Sequence, residues 1–394
     1  MLKISSTITI EKPLPSQYEF WLSPQRHRAY IGGIGSGKTL AGCVEILRQR
    51  AGTRGTVVAP TYPMLRDSTQ FTFFELFRDA IESHNVQENI TQLKNGSIIL
   101  WRSADRPDSL RGANLDWWYG DEAEYFSEQT WDVMLGRIRK KGARSWITSS
   151  PNGDQSWVVK RIEQKAAEKP DVYKVVHATT MDNIHLPKEY VEDLIESYTT
   201  EHARQELYGE RVSLSGMLWS RQWVKRGVVP DGQHEYVLGV DLAISADKKS
   251  DDRAIVVMCK VENTFYVVEY AVGKWGFYET KERIADIATR YNASCIAVEN
   301  VAYQQAMVES LQRETMFYIK AVSPRGQNKK TRFFPMAGKY EHGYIVHNAH
   351  TDMKQLEDEL ANFDGSGKYP DNIIDAEMYA MEACDASKVE MFLL

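Results

Sequence analysis

The chain has 394 residues, an ordinary globular composition and a formal net charge of −6. This length favours two domains with separate cores, and the net charge excludes a uniformly basic nucleic-acid coat but not local basic clusters. No apolar run approaches the roughly 18 residues of a membrane span, and the four cysteines form no CxxC pair, which disfavours a zinc ribbon or disulfide framework. We therefore expect a soluble, unexported protein with buried cysteines.

Strand-like and helical patterns alternate in the first half of the chain. The strand-like runs are AYIG, TVVAP, SIILW, LDWWYGDE and RSWITSS, and helical patterns include TLAGCVEILRQRA and TFFELFRDAIESH. This alternation indicates a mostly parallel sheet with helices on both faces. We predict an α/β domain over residues 1–205, followed by a connection over residues 206–235.

The stretch RAYIGGIGSGKT, residues 28–39, has the pattern G-x-x-x-x-G-K-[ST] between a strand and a helix. In this context glycines let backbone N–H groups surround phosphates, Lys38 reaches the outer phosphates, and Thr39 offers its hydroxyl to Mg²⁺. The residues predicted to bind the nucleotide here are Gly32, Gly35, Ser36, Gly37, Lys38 and Thr39.

A second motif, LDWWYGDE, ends an apolar strand in two acids. Asp121 is placed to hold Mg²⁺, and Glu122 is placed to polarise an attacking water. Together with the phosphate loop, the pair predicts ATP hydrolysis rather than binding alone. No [NT]KxD tetrapeptide occurs in either half, so ATP is favoured over GTP.

Two further features are compatible with this chemistry. Arg111, in DSLRGAN, is a candidate to offer its guanidinium to a γ-phosphate, in its own site or in a neighbour's. Thr148, at the end of the next strand, begins a segment, 148–150, placed to sense the γ-phosphate. A surface arginine and an ordinary polar strand end are the alternatives.

The second half has a different order of elements. YVLGVDLA, RAIVVMCKVE and TFYVVEYAVG are three consecutive strand patterns, followed by the helix KERIADIATRY and the strand SCIAVEN. This β-β-β-α-β order predicts a separate domain over residues 236–394.

Three acids of this half have the order found in ribonuclease-H-like folds. Asp241 lies on the first strand, Glu299 ends a later strand, and Asp375 lies at the start of a helical run, with Asp371 one turn earlier. Such a cluster holds two divalent metals about 3.5–4 Å apart, and oxygen ligands suit Mg²⁺ or Mn²⁺. A helix cap or a surface ion pair is the alternative for each acid alone.

The basic stretch PRGQNKKTR, residues 324–332, precedes what we interpret as a strand-turn-strand pattern, KKTRFFPMAGKYEHGYIVH. A solvated surface is the ordinary interpretation of such a cluster alone; if the chain acts on DNA, the cluster would contact the DNA backbone near the metals, without reading base sequence. The predicted contacts are Arg325, Lys329, Lys330 and Arg332.

Taken in order, these motifs resemble the large subunit of a tailed-bacteriophage terminase, over nearly the whole chain. The resemblance implies a P-loop (RecA/ASCE-like) ATPase domain followed by an RNase H-like endonuclease domain, with ATP and Mg²⁺ as cofactors and Mn²⁺ possible at the nuclease. It implies that Gln17 contacts adenine, that Glu122 is the catalytic carboxylate, and that Arg111 reaches an adjacent subunit. Asp241, Glu299 and Asp375 become nuclease ligands, with Asp371 as an alternative third ligand because Asn372 interrupts the usual acidic pair.

The same resemblance implies partners: double-stranded DNA, a terminase small subunit, the portal protein of the procapsid and further copies in a ring. It places the protein in the cytoplasm of the infected bacterium, outside the mature virion and away from membranes. The alternatives are a DNA helicase-nuclease, which would need a second ATPase lobe, and a nucleotide-switched DNA-binding protein, which would not turn over ATP.

Overall fold

A computed structural model of the chain describes residues 2–3, 9–10, 12–212, 218–242, 252–299, 305–322 and 329–390. These residues form two compact units, one within residues 1–192 and 201–213 and the other within 193–200 and 214–394. The predicted connection is therefore divided: residues 206–212 lie in the first unit and residues 218–235 in the second.

Up to residue 212 the described strands are β1 (Leu2–Lys3), β2 (Thr9–Ile10), β3 (His27–Gly32), β4 (Arg54–Ala59), β5 (Ile81–Asn85), β6 (Ile90–Leu93), β7 (Ile98–Ser103), β8 (Trp117–Asp121), β9 (Arg144–Ser149) and β10 (Tyr173–Ala178). The α-helices are α1 (Pro15–Leu22), α2 (Lys38–Leu47), α3 (Tyr62–Met64), α4 (Phe71–Phe77), α5 (Glu128–Leu135), α6 (Gln164–Glu168), α7 (Lys188–Ser197) and α8 (Thr200–Glu206). A π-helical turn, Leu65–Gln70, joins α3 to α4, and a second one, Val159–Glu163, precedes α6.

The main sheet of the first unit has the strand order β10-β3-β9-β8-β4-β7-β6-β5 among the described residues. Strands β10, β3, β9, β8, β4 and β7 are parallel, and β5 and β6 extend the edge in antiparallel pairing. Successive residues of β4 pack in two different hydrophobic cores, one on each face of the sheet: Val57 in one and Val58 in the other. The predicted mostly parallel sheet with two covered faces is confirmed, and the carboxyl ends of β3, β8 and β9 meet at one edge.

Beyond residue 218 the described strands are β11 (Lys225–Gly227), β12 (Tyr236–Asp241), β13 (Arg253–Val261), β14 (Thr264–Gly273), β15 (Cys295–Glu299), β16 (Ile319–Val322) and β17 (Ile345–Asn348). The helices are α9 (Phe277–Arg290), α10 (Gln305–Glu314), α11 (Lys329–Glu341), α12 (Lys354–Asn362) and α13 (Asn372–Glu390). The strand order within the described residues is β11-β17-β14-β13-β12-β15-β16. Strands β12, β13 and β14 form an antiparallel meander, and β15 is parallel to β12, so the predicted β-β-β-α-β order is confirmed.

Two local predictions are wrong. The helix predicted across TFFELFRDAIESH ends early, and its last residues form β5, Ile81–Asn85, which pairs with β6. The predicted strand-turn-strand begins instead with α11, which contains Pro335. Phe333, Met336 and Tyr340 are buried at helical spacing, so core packing outweighs both the internal proline and the β-forming aromatic residues.

All four cysteines are buried thiols, as expected from their scatter. In the described part of the chain, no helix combines the length and apolarity that crossing a bilayer requires.

Helix α13 packs against β12 at almost backbone-to-backbone distance. A Cβ atom added at Gly239 would lie 1.9 Å from the carbonyl oxygen of Ala376 and 2.5 Å from the amide nitrogen of Ala380. Only a glycine admits such an approach, so Gly239 sets the position of the helix that carries Asp375.

We expect Gly239→Ala to destabilise the second unit by about 3 kcal/mol, because the added methyl group meets backbone rather than a movable side chain. Urea unfolding followed by circular dichroism measures the change. Gly276→Ala is the control, since a Cβ atom there meets nothing within 4 Å. Equal stability of the two variants would contradict the close approach.

Candidate functional site

The phosphate loop connects β3 to α2 and has the backbone that its glycines permit. Gly35 and Gly37 have φ angles of +69° and +81°, in the left-handed region that favours glycine. The Oγ atom of Ser36 is buried without a hydrogen-bond partner in the described residues. At Gly32, an added Cβ atom would lie 2.6 Å from that hydroxyl. The loop therefore has the conformation and an unsatisfied polar atom suited to a bound anion.

Lys38 begins α2, and its ammonium is held inside the loop. Its Nζ atom donates to the carbonyl oxygen of Gly33 at 2.9 Å and to Ser150 Oγ at 3.1 Å. The side chain is thus oriented towards the loop interior, where a phosphate would replace one of these acceptors.

Residues that the sequence analysis did not identify fix the loop from its other side. Ile34 N donates to the carbonyl oxygen of Glu206 at 2.6 Å, and the Thr180 hydroxyl donates to the carbonyl oxygen of Ile34 at 2.7 Å. Asn183 Nδ2 donates to the carbonyl oxygen of Gly35 at 2.6 Å. These contacts come from the segment after β10 and the end of α8, far away in sequence, and no local pattern indicates them.

Asp121 ends β8 and is 1% exposed. Its carboxylate accepts hydrogen bonds from three hydroxyl groups: Thr148 at 2.5 Å, Thr69 at 2.7 Å and Thr39 at 3.3 Å. Thr39 is therefore beside Asp121, as a shared Mg²⁺ site requires, and the hydroxyl-carboxylate set suits that ion. Thr69 was not predicted. It lies in the π-helical turn Leu65–Gln70, a rare conformation that frequently marks functional sites.

Glu122 follows Asp121 in a strained backbone conformation. It has φ 49° and ψ 46°, which are uncommon for a residue with a side chain. Its Oε2 atom accepts from the amide of Ser150 at 3.3 Å and from the Ser149 hydroxyl at 3.4 Å. Burial raises the pKa of Glu122, Lys38 opposes that shift, and Asp121 adds to it. A carboxylate with a raised pKa at a strand end is suited to accept a proton.

The segment 148–150 contacts each of these groups in turn: Thr148 bonds to Asp121, Ser149 to Glu122, and Ser150 to Lys38 and Glu122. The predicted adenine contact, Gln17, also reaches the loop. Its Nε2 atom donates to the carbonyl oxygen of Gly37 at 3.1 Å, and its Oε1 atom accepts from Leu14 N at 3.0 Å.

Arg111 lies apart from the phosphate loop. Its side chain is 58% exposed and donates to Asp108 at 2.8 Å. It lines a groove of about 320 Å³ together with Arg54 and Arg102, over β4 and β7. Strand β4 is three strands from β3, or about 14 Å at the usual strand spacing. The structure therefore does not bring Arg111 to its own phosphate loop.

In the second unit, two predicted acids end neighbouring parallel strands. Strands β12 and β15 pair with Val240 opposite Val298, so Asp241 and Glu299 come next along the two strands. Side chains alternate along a strand, so Asp241 is on the same face as Gly239, the face covered by α13. Asp241 is buried and Glu299 is partly exposed.

The third acid, Asp375, is in the first turn of α13. The Lys329 ammonium lies 2.6 Å from Asp375 Oδ2 and 2.7 Å from Asp371 Oδ2. Burial raises the pKa of Asp375, and Lys329 opposes that shift. The helix start is fixed by Glu359 of α12, whose Oε2 atom accepts from Ile373 N at 3.0 Å.

Arg332 and Tyr379 complete the surroundings of Asp375. The Arg332 guanidinium stacks over the Tyr379 ring at 5.2 Å, and its Nη2 atom is 3.9 Å from Asp375 Oδ1. Burial raises the pKa of Tyr379, and the charges of Asp375 and Glu299 raise it further. Both acids therefore act on the same tyrosine.

The acidic residues have the ligand chemistry that a divalent metal requires, but their side chains are not arranged as a complete metal site. Asp375 Oδ1 is buried and accepts no hydrogen bond in the described residues, and all four candidate ligands offer carboxylate oxygen. Across the described ranges, no three His, Cys, Asp or Glu side chains are grouped closely enough to hold one ion. Lys329 instead lies between two of the candidate ligands.

Three of the four predicted DNA contacts can be located. Lys329 and Arg332 lie beside Asp375, and Lys330 lies next to them at the start of α11. Arg325 lies outside the described residues.

Comparison with known families matches both halves of the chain. Residues 29–226 match the model for the terminase large subunit, T4likevirus-type, N-terminal region, and residues 238–383 match the terminase RNaseH-like domain. A curated relative, the PBSX phage terminase large subunit of Bacillus subtilis (strain 168), is 24% identical over 200 residues. That match covers 43% of this chain and only 45% of the relative.

Among solved structures, the large terminase of a thermophilic bacteriophage has the same fold. It aligns with a TM-score of 0.68 at 15% identity, covering 93% of this chain and 98% of that one. The same thermophilic phage protein in complex with ADP aligns with a TM-score of 0.66 at 16% identity, over the same shares of the two chains.

The raised pKa of Glu122 has a consequence for stability. A carboxyl group whose pKa is higher in the folded than in the unfolded protein binds more protons in the folded state. The free energy of unfolding therefore falls as the pH rises above the pKa that the group has in the unfolded protein. We expect Glu122→Gln to melt at a higher temperature than the unsubstituted protein at pH 8, with the difference shrinking towards pH 5. Differential scanning calorimetry measures it.

Glu82→Gln is the control for that comparison, because Glu82 is exposed and lies on β5, away from the phosphate loop. An equal shift in melting temperature in both variants, or a shift in Glu122→Gln that does not depend on pH, would contradict the raised pKa of Glu122 as the cause.

Proposed function

The chain belongs to the terminase large subunit family, and on that premise we propose that it packages viral DNA. In this proposal it drives double-stranded DNA into a procapsid by hydrolysing ATP and cuts concatemeric DNA with a two-metal endonuclease. One observation carries the proposal: the same chain has a phosphate loop facing two strand-end acids in one unit and a second set of strand-end acids in the other. A motor and a cutting centre require these two arrangements.

In the proposed ATPase, Lys38 exchanges its contacts with Gly33 and Ser150 for the outer phosphates. Thr39 and Asp121 would hold Mg²⁺, which would supply positive charge to neutralise the phosphates. Glu122 orients the attacking water and accepts its proton, and its raised pKa favours that transfer. The ADP complex of the thermophilic phage large terminase, and its complex with ATP-gamma-S, support nucleotide binding by this fold.

Thr69 and Thr148 act as positioning residues for Asp121. Their hydroxyl groups fix both carboxylate oxygens, so the Asp121 carboxylate has a defined orientation before metal binds. Because segment 148–150 contacts Asp121, Glu122 and Lys38 together, we propose that it transmits the state of the γ-phosphate to the rest of the unit.

Arg111 is proposed to act on the site of an adjacent subunit. Its exposure and its distance from its own loop both favour action in trans, and exchanging Asp108 for a phosphate would conserve its ion pair. This proposal requires several copies in a ring around DNA. The portal protein, a small subunit and the host cytoplasm follow from the same packaging role.

In the proposed nuclease, Asp241, Glu299 and Asp375 would hold the metals, with Asp371 as the alternative to Asp375 for the third ligand. Two bound divalent ions would activate water and stabilise the leaving oxygen of a phosphodiester. Lys330 and Arg332 contact the DNA backbone beside them, as does Arg325 by its place in the sequence. Contacts of this kind position DNA without reading its sequence.

The trans arrangement predicts complementation between two inactive variants. Arg111→Ala should bind ATP normally but hydrolyse it about 10³-fold more slowly. Lys38→Ala should not bind ATP. Mixing the two, with linear DNA and procapsids present, should restore part of the turnover, because Lys38→Ala subunits supply Arg111 to intact neighbouring sites.

Steady-state phosphate release measures this turnover. Arg106→Ala is the matched control, an exposed arginine five residues away that should hydrolyse ATP normally. Absence of restoration in the mixture would argue against a shared site.

The two centres are also predicted to be separable. Asp241→Asn should abolish Mn²⁺-dependent cutting of plasmid DNA, because it removes a charged ligand, while ATP turnover stays within about twofold of normal. Agarose-gel assays and phosphate release report the two activities. Asp231→Asn, an exposed acid of the same unit, should preserve both. Loss of both activities in Asp241→Asn would make Asp241 structural instead.

A further inference from the structure

The Lys329 side chain lies where a cation between two carboxylates would lie. Its nitrogen is 2.6 Å from Asp375 Oδ2 and 2.7 Å from Asp371 Oδ2, and both are distances of close ion pairs. These are the two acids between which the sequence left the third metal ligand undecided. One ammonium therefore engages both candidates at once.

A divalent ion and this ammonium cannot share the two carboxylates. An ion bound by Asp375 sits about 2.0–2.6 Å from its oxygen, which would put it within a few Å of the Lys329 nitrogen. Two positive charges at that separation repel strongly where little water screens them, and Asp375 is only 5% exposed. Metal binding thus requires Lys329 to leave.

Lys329 is able to leave, whereas Arg332 is held. The Lys329 side chain is 38% exposed and begins α11, so its flexible stem can turn towards solvent. The Arg332 side chain is 14% exposed and stacks on Tyr379. Asp375 Oδ1, buried and without a hydrogen bond in the described structure, stays available to a new ligand throughout.

We propose that Lys329 is a built-in counterion that occupies the metal position of the nuclease and is displaced onto a DNA phosphate when metal binds. This inference rests on the proposed nuclease function and adds a regulation to it. The ammonium keeps its proton and exchanges one anionic partner for another. Metal binding releases Lys329 for a DNA phosphate, and DNA binding holds Lys329 away from the metal position. Each ligand therefore raises the affinity for the other, and this coupling is reciprocal.

The test is Mn²⁺ binding to the full chain without nucleotide, measured by the electron paramagnetic resonance signal of free Mn²⁺. Lys329→Met removes the charge but keeps the length of the side chain. We expect it to raise Mn²⁺ affinity about tenfold, within the usual range of coupling between sites. Lys354→Met is the matched control, because it makes the same change in net charge at an exposed lysine of the same unit, at the start of α12, and it should leave the affinity unchanged.

Asp375→Asn identifies where the ion binds. The gain from Lys329→Met should disappear when Asp375→Asn is also present. If Lys329→Met binds Mn²⁺ no better than the unsubstituted protein while Asp375→Asn binds it worse, the counterion role is overturned and the nuclease proposal stands. If Asp375→Asn changes nothing in either background, the metal site itself is wrong.

A second readout tests the transfer to DNA. The affinity for a fluorescein-labelled 20-base-pair duplex, followed by anisotropy, should rise when Mn²⁺ is added, and this rise should be smaller in Lys329→Met. An equal rise in both proteins would overturn the transfer of Lys329 to phosphate.

Discussion

Both centres depend on one constraint: a carboxylate ends a strand that has a parallel neighbour, so polar groups distant in sequence meet at one edge of a sheet. Asp121 ends β8 beside β9, and Asp241 ends β12 beside Glu299 on β15. Both faces of these strands are covered, which holds Asp121 and Asp241 in place and removes them from water, while Glu299 stays partly exposed. The cores of the two units thus position the chemistry as well as stabilise the fold.

This rigidity has a thermodynamic cost that the surroundings offset. Glu122 combines a left-handed backbone with a raised pKa, and burial also raises the pKa of Asp375. Three hydroxyl groups donate to Asp121, whereas an ammonium pairs with Oδ2 of Asp375 and leaves its Oδ1 without a hydrogen bond in the described structure. The first is a fixed support for a carboxylate that we propose as a metal ligand. The second is a charge that moves, in our proposal, when metal binds, and we therefore assign regulation to the nuclease and not to the ATPase.

The sequence predicted the architecture well because the order of strand and helix patterns along the chain determines it. The structure contains the alternating strands and helices, the phosphate loop and the β-β-β-α-β order. It failed at α11, where Pro335 and neighbouring aromatic residues suggested strands although burial follows a helical period. It also missed Thr69, Thr180 and Asn183, whose contacts depend on tertiary structure and leave no local signal. The placement of Lys329 between two acids is likewise a property of packing, since α11 and α13 are separate in the chain.

The most direct test of the account is a crystal structure of the protein soaked with Mn²⁺, with the metals located by anomalous scattering. We predict two peaks about 3.5–4 Å apart among Asp241, Glu299 and Asp375 or Asp371, with the Lys329 side chain turned away from the acids. Mn²⁺ found only beside Thr39 and Asp121, with Lys329 still between Asp371 and Asp375, would contradict it.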